Sequence, residues 1–486
     1  MARCVTLKFY DNGMIKKFTL TLLACFTAIQ LMAQDKAGFS SVTELTPIPI
    51  TKSTEGKSQS KVWEFACTQW AVLPDREGTH LWRLDSNKWK KMLNLSQNAY
   101  LADCKVDGNL VHVLLFTNKG KSLLTSLEFD AATNSYVPWT SRPTPSKVAL
   151  SRHAEEGTID IDSTGRMWLA SDDSTSITVR WSDSPYTDWS EPITLATGID
   201  STDMGAVIAM PGKIGVMWTN LLTQRFGFRT HVDGAPPTEW SADEVPASQS
   251  ALDIYLGMAD DHLNLALGSD GTLYCAVKTE YDTPGLPKIA LLIRRPSGTW
   301  DDLYGVAEKG TRPVVVLNEE EEKLRIIYTR KDVGSDIVYK ETSTRNIAFS
   351  DELQLLKGKF NDVTSSKANF SSSVVVLASD ANYAAGVLAT DGPQPESCTA
   401  AIHWKLYPNP FSTTTKLYFS LPHGGRYAAV LYDTRGAKIT SLKQGTTAAG
   451  EWNSIPIDGA NLATGMYLIR VQTDDVTESM KVVLSR

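Results

Sequence analysis

The chain has 486 residues, too many for one ordinary hydrophobic core, so the sequence predicts two or more folding units. Hydrophobic residues make up 42% of the chain and charged residues 21%, a composition typical of a soluble globular protein. The net charge of −7 and the lack of a basic stripe argue against a nucleic-acid partner.

The first segment has the pattern of an export signal. Two lysines precede an apolar stretch over residues 20–31, and small residues follow it. The sequence therefore predicts a signal peptide over residues 1–33 with cleavage between Ala33 and Gln34, and residues 1–13 read as a misassigned start. The apolar stretch is short for a membrane anchor, and no second run of spanning length follows. No transmembrane segment is expected in the mature chain.

Four cysteines lie beyond the predicted signal peptide, namely Cys67, Cys104, Cys275 and Cys398. Export permits disulfide bonds, and four thiols allow three pairings. Buried free thiols and a single bridge are both open alternatives. No Cys-x-x-Cys or Cys/His spacing indicates zinc, and we expect neither a metal nor a cofactor.

Aromatic residues recur along the chain at a regular interval. The six intervals between them run from 49 to 60 residues, and three of the intervals are 50. The aromatic marks are Phe39, Trp89, Trp139, Trp189, Trp240, Trp300 and Phe349. Between successive marks lie three short apolar runs bounded by Gly, Asp or Asn, a pattern typical of strands. Four strands per unit of about 50 residues predict a β-propeller over residues 34–403, with each mark packed between neighbouring blades.

The two ends of this repeat complete each other. A strand over residues 39–45 has no partner before it, and the runs SSVVVLAS, YAAGVLAT and TAAIHW at the other end have no fourth strand after them. We expect the N-terminal strand to close the last unit, which protects both end strands from pairing elsewhere. The prediction is seven blades, or six if residues 398–404 are only a linker. The first run of each unit is the blandest, as expected for the wall of a narrow channel.

Two turns weakly resemble the Asp-box of sialidase-like propellers. They are DSTGRMW at 162–168 and SDGTLY at 269–274. Both fall between the first and second strands of a unit, not between outer strands, and Asp162 lies at the wrong offset from Gly165. Because β-turns favour Asp and Gly in general, a structural turn is the preferred interpretation.

From Leu406 onward the pattern changes to short alternating strands with polar turns, which predict a small Ig-like β-sandwich over residues 404–486. The blocks YPNPF, LYDTRGAKI, LATGMYLIRV and KVVLSR occur there in order. They resemble the C-terminal sorting domain of type IX secretion cargo from Bacteroidota. The resemblance implies passage across the outer membrane by the type IX machinery. The protein is then expected to be secreted or attached to the outer-membrane surface.

The loops expected at one end of the channel are rich in Arg, Asp, Glu, His and Tyr. Guanidinium groups bind carboxylates bidentately, which would suit an acidic sugar. The candidate ligand-binding residues are Arg152, Arg312, Arg330, Asp261 and His262. The candidate catalytic residues are His153, Tyr281 and Glu280. Tyr281 beside Glu280 resembles the nucleophile pair of sialidases, and His153 is of the right type to be the base of a β-elimination.

Each candidate also has a structural interpretation. His153 fits a surface loop, Tyr281 a rim aromatic, and the stretch from Asp260 to His262 a turn. No loop carries a complete catalytic set, and no phosphate loop, GxSxG or HExxH motif occurs. The sequence therefore predicts binding of an extracellular glycan or protein partner. A lyase or glycosidase on acidic polysaccharide is the alternative, so whether the chain is an enzyme stays open.

Overall fold

The computed structural model describes residues 37–54, 60–117, 122–130, 133–392, 402–421, 424–434, 436–448, 451–473 and 477–485, without the side chains of residues 403, 405 and 407. The predicted signal peptide, its cleavage point at Ala33 and Gln34, and Cys398 lie outside these residues. The described chain is all-β, and its one helical element is a 3-10 turn at Ser248–Ser250. None of the described segments forms a helix that could span a bilayer.

Twenty-eight strands of the described chain lie between residues 41 and 390. In chain order they are β1 (Ser41–Pro49), β2 (Val62–Phe65), β3 (Thr68–Asp75), β4 (Gly78–Asp85), β5 (Lys88–Ser96), β6 (Leu101–Asp107), β7 (Leu110–Phe116), β8 (Ser122–Asp130), β9 (Ser135–Pro138), β10 (Ser146–Val148), β11 (Gly157–Ile161), β12 (Met167–Asp173), β13 (Ser176–Ser182), β14 (Ile193–Thr197), β15 (Gly205–Met210), β16 (Lys213–Asn220), β17 (Arg225–Val232), β18 (Leu263–Leu267), β19 (Leu273–Lys278), β20 (Ile289–Arg294), β21 (Tyr304–Ala307), β22 (Thr311–Asn318), β23 (Lys323–Thr329), β24 (Ser335–Ser343), β25 (Leu353–Phe360), β26 (Asp362–Thr364), β27 (Ser373–Ser379) and β28 (Tyr383–Thr390). Their short length and apolar content follow the runs seen in the sequence.

Strands that are neighbours in the chain pair antiparallel, so most sheets come from one continuous stretch. The orders are β2-β3-β4-β5, β6-β7-β8-β10 with β9 also beside β8, β11-β12-β13-β14, β15-β16-β17, β18-β19-β20-β21 and β22-β23-β24-β25. The first strands β2, β6, β11, β15, β18, β22 and β26 contact one another in succession, and β2 also contacts β27. This arrangement of small antiparallel sheets is propeller-like, as the aromatic repeat predicts.

A further sheet joins the two ends of this segment in the order β26-β27-β28-β1. Ser41–Pro49 pairs antiparallel with Tyr383–Thr390, so the N-terminal strand closes the last sheet as predicted. The predicted identity of the other three strands is wrong by one place. SSVVVLAS and YAAGVLAT form the second and third strands, the first strand is Asp362–Thr364, and the described end of TAAIHW belongs to the C-terminal sheets. A three-residue strand gives no visible alternation in the sequence, which is why it escapes pattern analysis.

Polar side chains on the first strand of one sheet bond to the backbone of the next first strand. Asp160 Oδ2 accepts a hydrogen bond from Ala209 N at 2.8 Å, and Asn264 Oδ1 accepts one from Val315 N at 3.0 Å. These bonds satisfy N–H groups that the inner edge of a sheet leaves without a strand partner. The expectation of bland inner strands is therefore wrong at these positions, because the sheet edges need polar partners.

Aromatic marks lie between neighbouring sheets. The ring of Trp240 meets that of Trp168 edge-on at 5.5 Å, and Trp300 meets Phe228 in the same way at 5.5 Å. Each pair joins residues of two sheets that follow each other in the chain. Large rings at these positions remove apolar surface from water where two twisted sheets meet, as the sequence predicts.

The turn at 162–168 is organised by one carboxylate. Asp162 Oδ1 accepts hydrogen bonds from the N–H groups of Thr164 and Arg166 at 2.8 and 3.1 Å. Its Oδ2 accepts from Trp168 Nε1 at 2.9 Å. The aspartate therefore shapes the turn between β11 and β12, in agreement with the structural interpretation of this motif.

A buried ion-pair cluster, here called the closure cluster, ties the N-terminal segment to the last two sheets. Arg325 is fully buried and donates to both carboxylate oxygens of Asp391 at 2.7 and 2.8 Å. Its Nη2 lies 2.6 Å from Glu341 Oε2, and its guanidinium stacks on Phe39 at 4.0 Å. Tyr339 Oη accepts a hydrogen bond from Phe39 N at 3.1 Å. The cluster fixes the start of β1 at the point where the last sheet closes.

The C-terminal segment forms two sheets with the orders β29-β30-β33 and β32-β31-β34-β35. Their strands are β29 (His403–Tyr407), β30 (Thr414–Ser420), β31 (Gly425–Asp433), β32 (Lys438–Thr447), β33 (Trp452–Asp458), β34 (Gly465–Thr473) and β35 (Thr477–Leu484). Both sheets contribute to one apolar core, Leu417 and Ile457 from the first and Leu431 and Ile469 from the second. These side chains alternate with exposed ones, as expected for sheets buried on one face.

Candidate functional site

Two connections at one end of the sheet β18–β21, together with the connection between β16 and β17 of the preceding sheet, carry the features that mark a candidate site. The connection before a first strand and the one between second and third strands lie at the same end, because strand direction alternates. Here they are the residues before Leu263, up to His262, and residues 279–288. One feature is a group of charged side chains, and the other is exposed apolar surface.

The charged group is here called the acid–lysine cluster. Its members are Asp260, Asp261, His262, Lys278, Glu280 and Lys288. Asp260 is almost fully buried; its Oδ2 lies 2.8 Å from Lys278 Nζ and its Oδ1 lies 3.1 Å from His262 Nδ1. Asp261 Oδ1 contacts the same imidazole nitrogen at 2.5 Å, and Lys288 Nζ lies 3.1 Å from Glu280 Oε2. The structure therefore brings together three of the predicted residues, Asp261, His262 and Glu280.

The proton distribution in this cluster follows from burial and charge. Burial raises the pKa of Glu280, and a hydrogen bond to Asp260 together with the charge of Asp260 raises it further, against the opposing effect of Lys288. Burial acts to lower the pKa of Lys278, but the charges of Asp260 and its neighbours outweigh this effect and raise it. The cluster therefore presents a carboxyl group with increased proton affinity beside a fixed ammonium group.

Two groups of described residues have side chains of the types that bind a divalent cation. The first group is Asp260, Asp261 and His262, and the second is Asp75, Glu77 and His80. In both groups an ammonium already contacts a carboxylate. Lys278 contacts Asp260, and Lys91 Nζ lies 2.5 Å from Asp75 Oδ2. Because lysine supplies the positive charge, both arrangements fit ion pairs better than a metal centre.

Tyr281 is buried, and its role in the structure is to position a loop. Its hydroxyl accepts a hydrogen bond from Leu252 N at 2.9 Å. Burial raises the pKa of Tyr281, which disfavours the phenolate that a nucleophile would need. Arg152 and His153 are exposed in the connection before β11, in a different sheet from Glu280.

The two remaining arginine candidates each have carboxylate partners of their own. Arg312 Nε lies 2.9 Å from Asp362 Oδ1, a contact between neighbouring sheets. Arg330 Nη1 lies 2.8 Å from Asp336 Oδ2, a contact within one sheet. Because each guanidinium is engaged separately, the structure does not assemble these arginines into one anion-binding group.

The second feature is here called the apolar loop surface. Its five side chains are all exposed, and they are Leu222, Leu252, Ile254, Tyr255 and Leu256. Leu222 is 63% exposed and Tyr255 is 62% exposed. Four of the five lie within five consecutive residues, so they form a group and not scattered single exposures.

Several contacts fix the apolar loop surface in place. Met258 N donates to Gln224 O at 3.2 Å, and Arg225 Nη2 lies 2.6 Å from Asp253 Oδ1. Tyr255 has a φ of +56°, a left-handed backbone that costs a residue with a side chain roughly 1–2 kcal/mol. The surrounding bonds therefore hold the tyrosine in an unfavourable conformation with its ring exposed.

Sequence analysis missed this surface and half of the acid–lysine cluster. The stretch ALDIYLG alternates like the strand runs around it but lies outside the three apolar runs of its repeat, and this surplus run is the signal that could have identified it. Lys278 and Lys288 flank a hairpin connection whose ends meet only in the folded sheet. No spacing in the sequence predicts that these two lysines lie beside the acidic residues.

Weak structural similarity links the chain to sialidase and other propeller structures. A mutant of Trypanosoma rangeli sialidase displaying trans-sialidase activity is 8% identical, with 92% of this chain and 89% of that chain covered and a TM-score of 0.42. AofleA from Arthrobotrys oligospora is 9% identical, with 75% and 91% covered and a TM-score of 0.38. The α-L-arabinanase of Penicillium chrysogenum, complexed with arabinobiose, is 11% identical, with 63% and 100% covered and a TM-score of 0.39. Likenesses this distant carry no argument about function.

No curated protein sequence matches the chain. Its C-terminal segment, however, matches a known sequence family, the secretion system C-terminal sorting domain, over residues 405–485. This range covers the strands of the two C-terminal sheets almost completely. The chain is therefore a protein with a type IX C-terminal sorting domain, which directs it to the cell surface or into the medium.

Proposed function

We propose that this chain is an exported seven-bladed β-propeller, residues 34–403, followed by an Ig-like sorting sandwich, residues 404–486, and that it binds an extracellular protein. Among the described residues between 41 and 390, seven sheets whose first strands contact in succession support the blade count. The observation that carries the binding proposal is the apolar loop surface.

The chemistry of this surface favours a protein partner over a glycan. Leu222, Leu252, Ile254 and Leu256 offer no hydrogen-bonding groups at their ends, whereas sugar hydroxyls need partners when they are buried. Tyr255 adds the amphipathic ring that protein interfaces use as an anchor. The ion pair between Arg225 and Asp253 supplies a polar rim at its edge.

The expected contribution of the surface is large enough to measure. Fully burying one exposed Leu or Tyr side chain contributes roughly 1.5–3 kcal/mol. Removing two of them should therefore weaken binding by tenfold or more, since a tenfold change in Kd corresponds to about 1.4 kcal/mol.

The test uses the exported protein as bait against surface and secreted proteins of the producing cells, with Tyr255→Ser/Leu256→Ser as the second bait. We expect a small set of proteins to be enriched at least tenfold with the wild type and lost with the double variant. A protein that is enriched with the wild type is then purified, and its Kd is measured for the wild type and for the double variant.

Val333→Ser is the matched control, because Val333 is an apolar side chain that is 80% exposed in a different loop. It should bind like the wild type. A partner that binds the double variant equally well would refute the proposal. A glycan-array signal without a protein partner would do the same and would restore the glycan alternative.

The acid–lysine cluster supports a second candidate function, an enzyme acting on acidic polysaccharide. A carboxyl group with raised pKa keeps its proton to higher pH than an ordinary glutamate and can donate it as a general acid, and the ammonium groups of Lys278 and Lys288 can neutralise a uronate carboxylate. In this candidate Glu280 is the acid and Asp261 contacts the substrate, whereas His262 is buried and holds Asp261 in place.

A polysaccharide panel tests this second candidate through new reducing ends and the absorbance of unsaturated uronate. Activity should disappear in Glu280→Gln and persist in Glu308→Gln, a matched control at an exposed glutamate. Silence of the wild type on the whole panel would refute the enzyme candidate and leave the binding proposal untouched.

A further inference from the structure

A cavity of about 260 Å³ lies among the first strands of the sheets. Its walls include Val62, Val106, Ile208 and Leu265, and residues 365–369 form part of its lining. The side chain of Lys105 also lines the cavity, with 26% of its surface accessible to a water-sized sphere. The volume approaches the lower end of ordinary small-molecule sites, roughly 300 Å³.

The acidic group in the lining, Asp160, is already well satisfied. Its Oδ1 accepts a hydrogen bond from Ile161 N at 2.8 Å and contacts Lys105 Nζ at 2.5 Å. Its Oδ2 accepts from Ala209 N at 2.8 Å. Two backbone donors and one ammonium occupy both oxygens, so this carboxylate has little capacity left to accept from a ligand.

One of the two ammonium groups in the lining is also engaged. Lys367 Nζ donates to Asp103 Oδ2, and to Ile159 O at 2.9 Å. Asp103 in turn accepts from the N–H groups of Ser60 and Ile159 at 2.9 and 2.8 Å. The carboxylate of Asp103 therefore has partners at both oxygens, as the carboxylate of Asp160 does.

Two side chains in the lining have unused hydrogen-bond donors. Asn264 Oδ1 accepts from Val315 N at 3.0 Å, which fixes the amide orientation and leaves Nδ2, with its two N–H groups, as the free end. Within the described chain, Nδ2 of Asn264 has no hydrogen-bond partner. Lys105 has three N–H groups and one carboxylate partner. Burial acts to lower the pKa of Lys105, but Asp160 outweighs it and raises the pKa, so the ammonium stays charged.

We propose that this cavity binds a small organic carboxylate. The carboxylate oxygens accept from Lys105 and Asn264, and the carbon skeleton packs against the aliphatic walls. The two ammonium groups and two aspartates sum to zero charge, so a bound carboxylate adds one negative charge beside an ammonium with unused donors. The site shares no residue with the apolar loop surface, and the inference therefore does not depend on the proposed function.

Isothermal titration of the exported full-length protein tests the inference. The probes are lactate, malate and glucuronate, each compared with its neutral counterpart lactamide, malamide or glucuronamide. We expect at least one carboxylate to bind saturably and its amide to bind at least tenfold more weakly. Comparable binding of acid and amide would overturn the inference, and so would the absence of binding by all three acids.

Asn264→Asp is the sharpest variant, because Asp keeps the acceptor for Val315 N and replaces the free amide donors with an oxygen. It should bind the carboxylate at least tenfold more weakly. Lys309→Met, at an exposed lysine, makes the net charge of the protein more negative by the same one unit at a distant position and should bind like the wild type. Unchanged binding in a folded Asn264→Asp would overturn the inference, and the comparison of acid with amide in the wild type decides it if that variant does not fold.

Discussion

The closure cluster makes a strong prediction about stability. In Arg325→Met, the methionine fills the volume of the arginine stem but supplies no positive charge. The carboxylates of Asp391 and Glu341 then stay buried without their cation, since their side chains are only 2% and 10% exposed. Breaking a buried ion pair by removing one partner costs about 3–5 kcal/mol. Because folded domains are stable by about 5–15 kcal/mol, this loss is a large part of the total.

Urea unfolding followed by tryptophan fluorescence and circular dichroism measures this loss. Arg345→Met is the matched control, because Arg345 pairs with Glu322 while its side chain is 78% exposed. We expect the control to change the unfolding free energy by less than about 1 kcal/mol. Arg325→Met/Asp391→Asn should recover about 1 kcal/mol or more of the loss, since it removes one of the uncompensated charges. A loss in Arg325→Met no greater than that in the control would refute the reasoning.

Three further predictions concern the proton of Glu280, Lys367 in the lining of the cavity and the sorting domain. The pKa of Glu280 is raised above 4.5 on folding, so the folded state holds a proton that the unfolded chain releases. Wild-type stability relative to Glu280→Gln should therefore fall as pH rises above about 4.5, and urea midpoints that run parallel across this range would contradict it. Lys367→Met leaves buried Asp103 with backbone donors only and should lower the unfolding free energy by about 2 kcal/mol, whereas an unchanged midpoint would show that the contact contributes nothing. A chain without residues 404–486 should stay inside the cell envelope on fractionation, and its appearance in the medium would contradict a sorting role.

Features with a period in the sequence could be predicted, and the described fold agrees with them. The aromatic marks and the apolar runs between them indicate small sheets built from consecutive strands, and Ser41–Pro49 does close the last sheet. The sorting domain is equally visible, because its motif blocks stand in order within one short segment. Both signals are local, and local patterns survive in a single sequence.

The candidate site depends on contacts that have no local signature. Asp260 and Lys278 meet because β18 and β19 pair, and Asp362, the partner of Arg312, lies on the short strand β26 that pattern analysis missed. Tyr281 has the residue type of a nucleophile, but its burial and its bond to Leu252 depend on a loop whose path no pattern indicates. Residue type predicts which chemistry is available, whereas tertiary packing decides whether a group is free to perform it.

The pairing of β1 with β28 has a consequence for the order of events during export. Ser41 and Thr390 are hydrogen-bonded neighbours that lie 349 residues apart in the chain. The last sheet cannot be completed until almost the whole segment has been synthesised, because its outermost strand is made first and its other strands last. Contacts between such distant residues also form slowly. The last sheet therefore stays open for most of the synthesis of the chain, whereas each sheet between residues 41 and 390 that is built from consecutive strands has all its strands earlier, and the exported protein completes this closing sheet last among them.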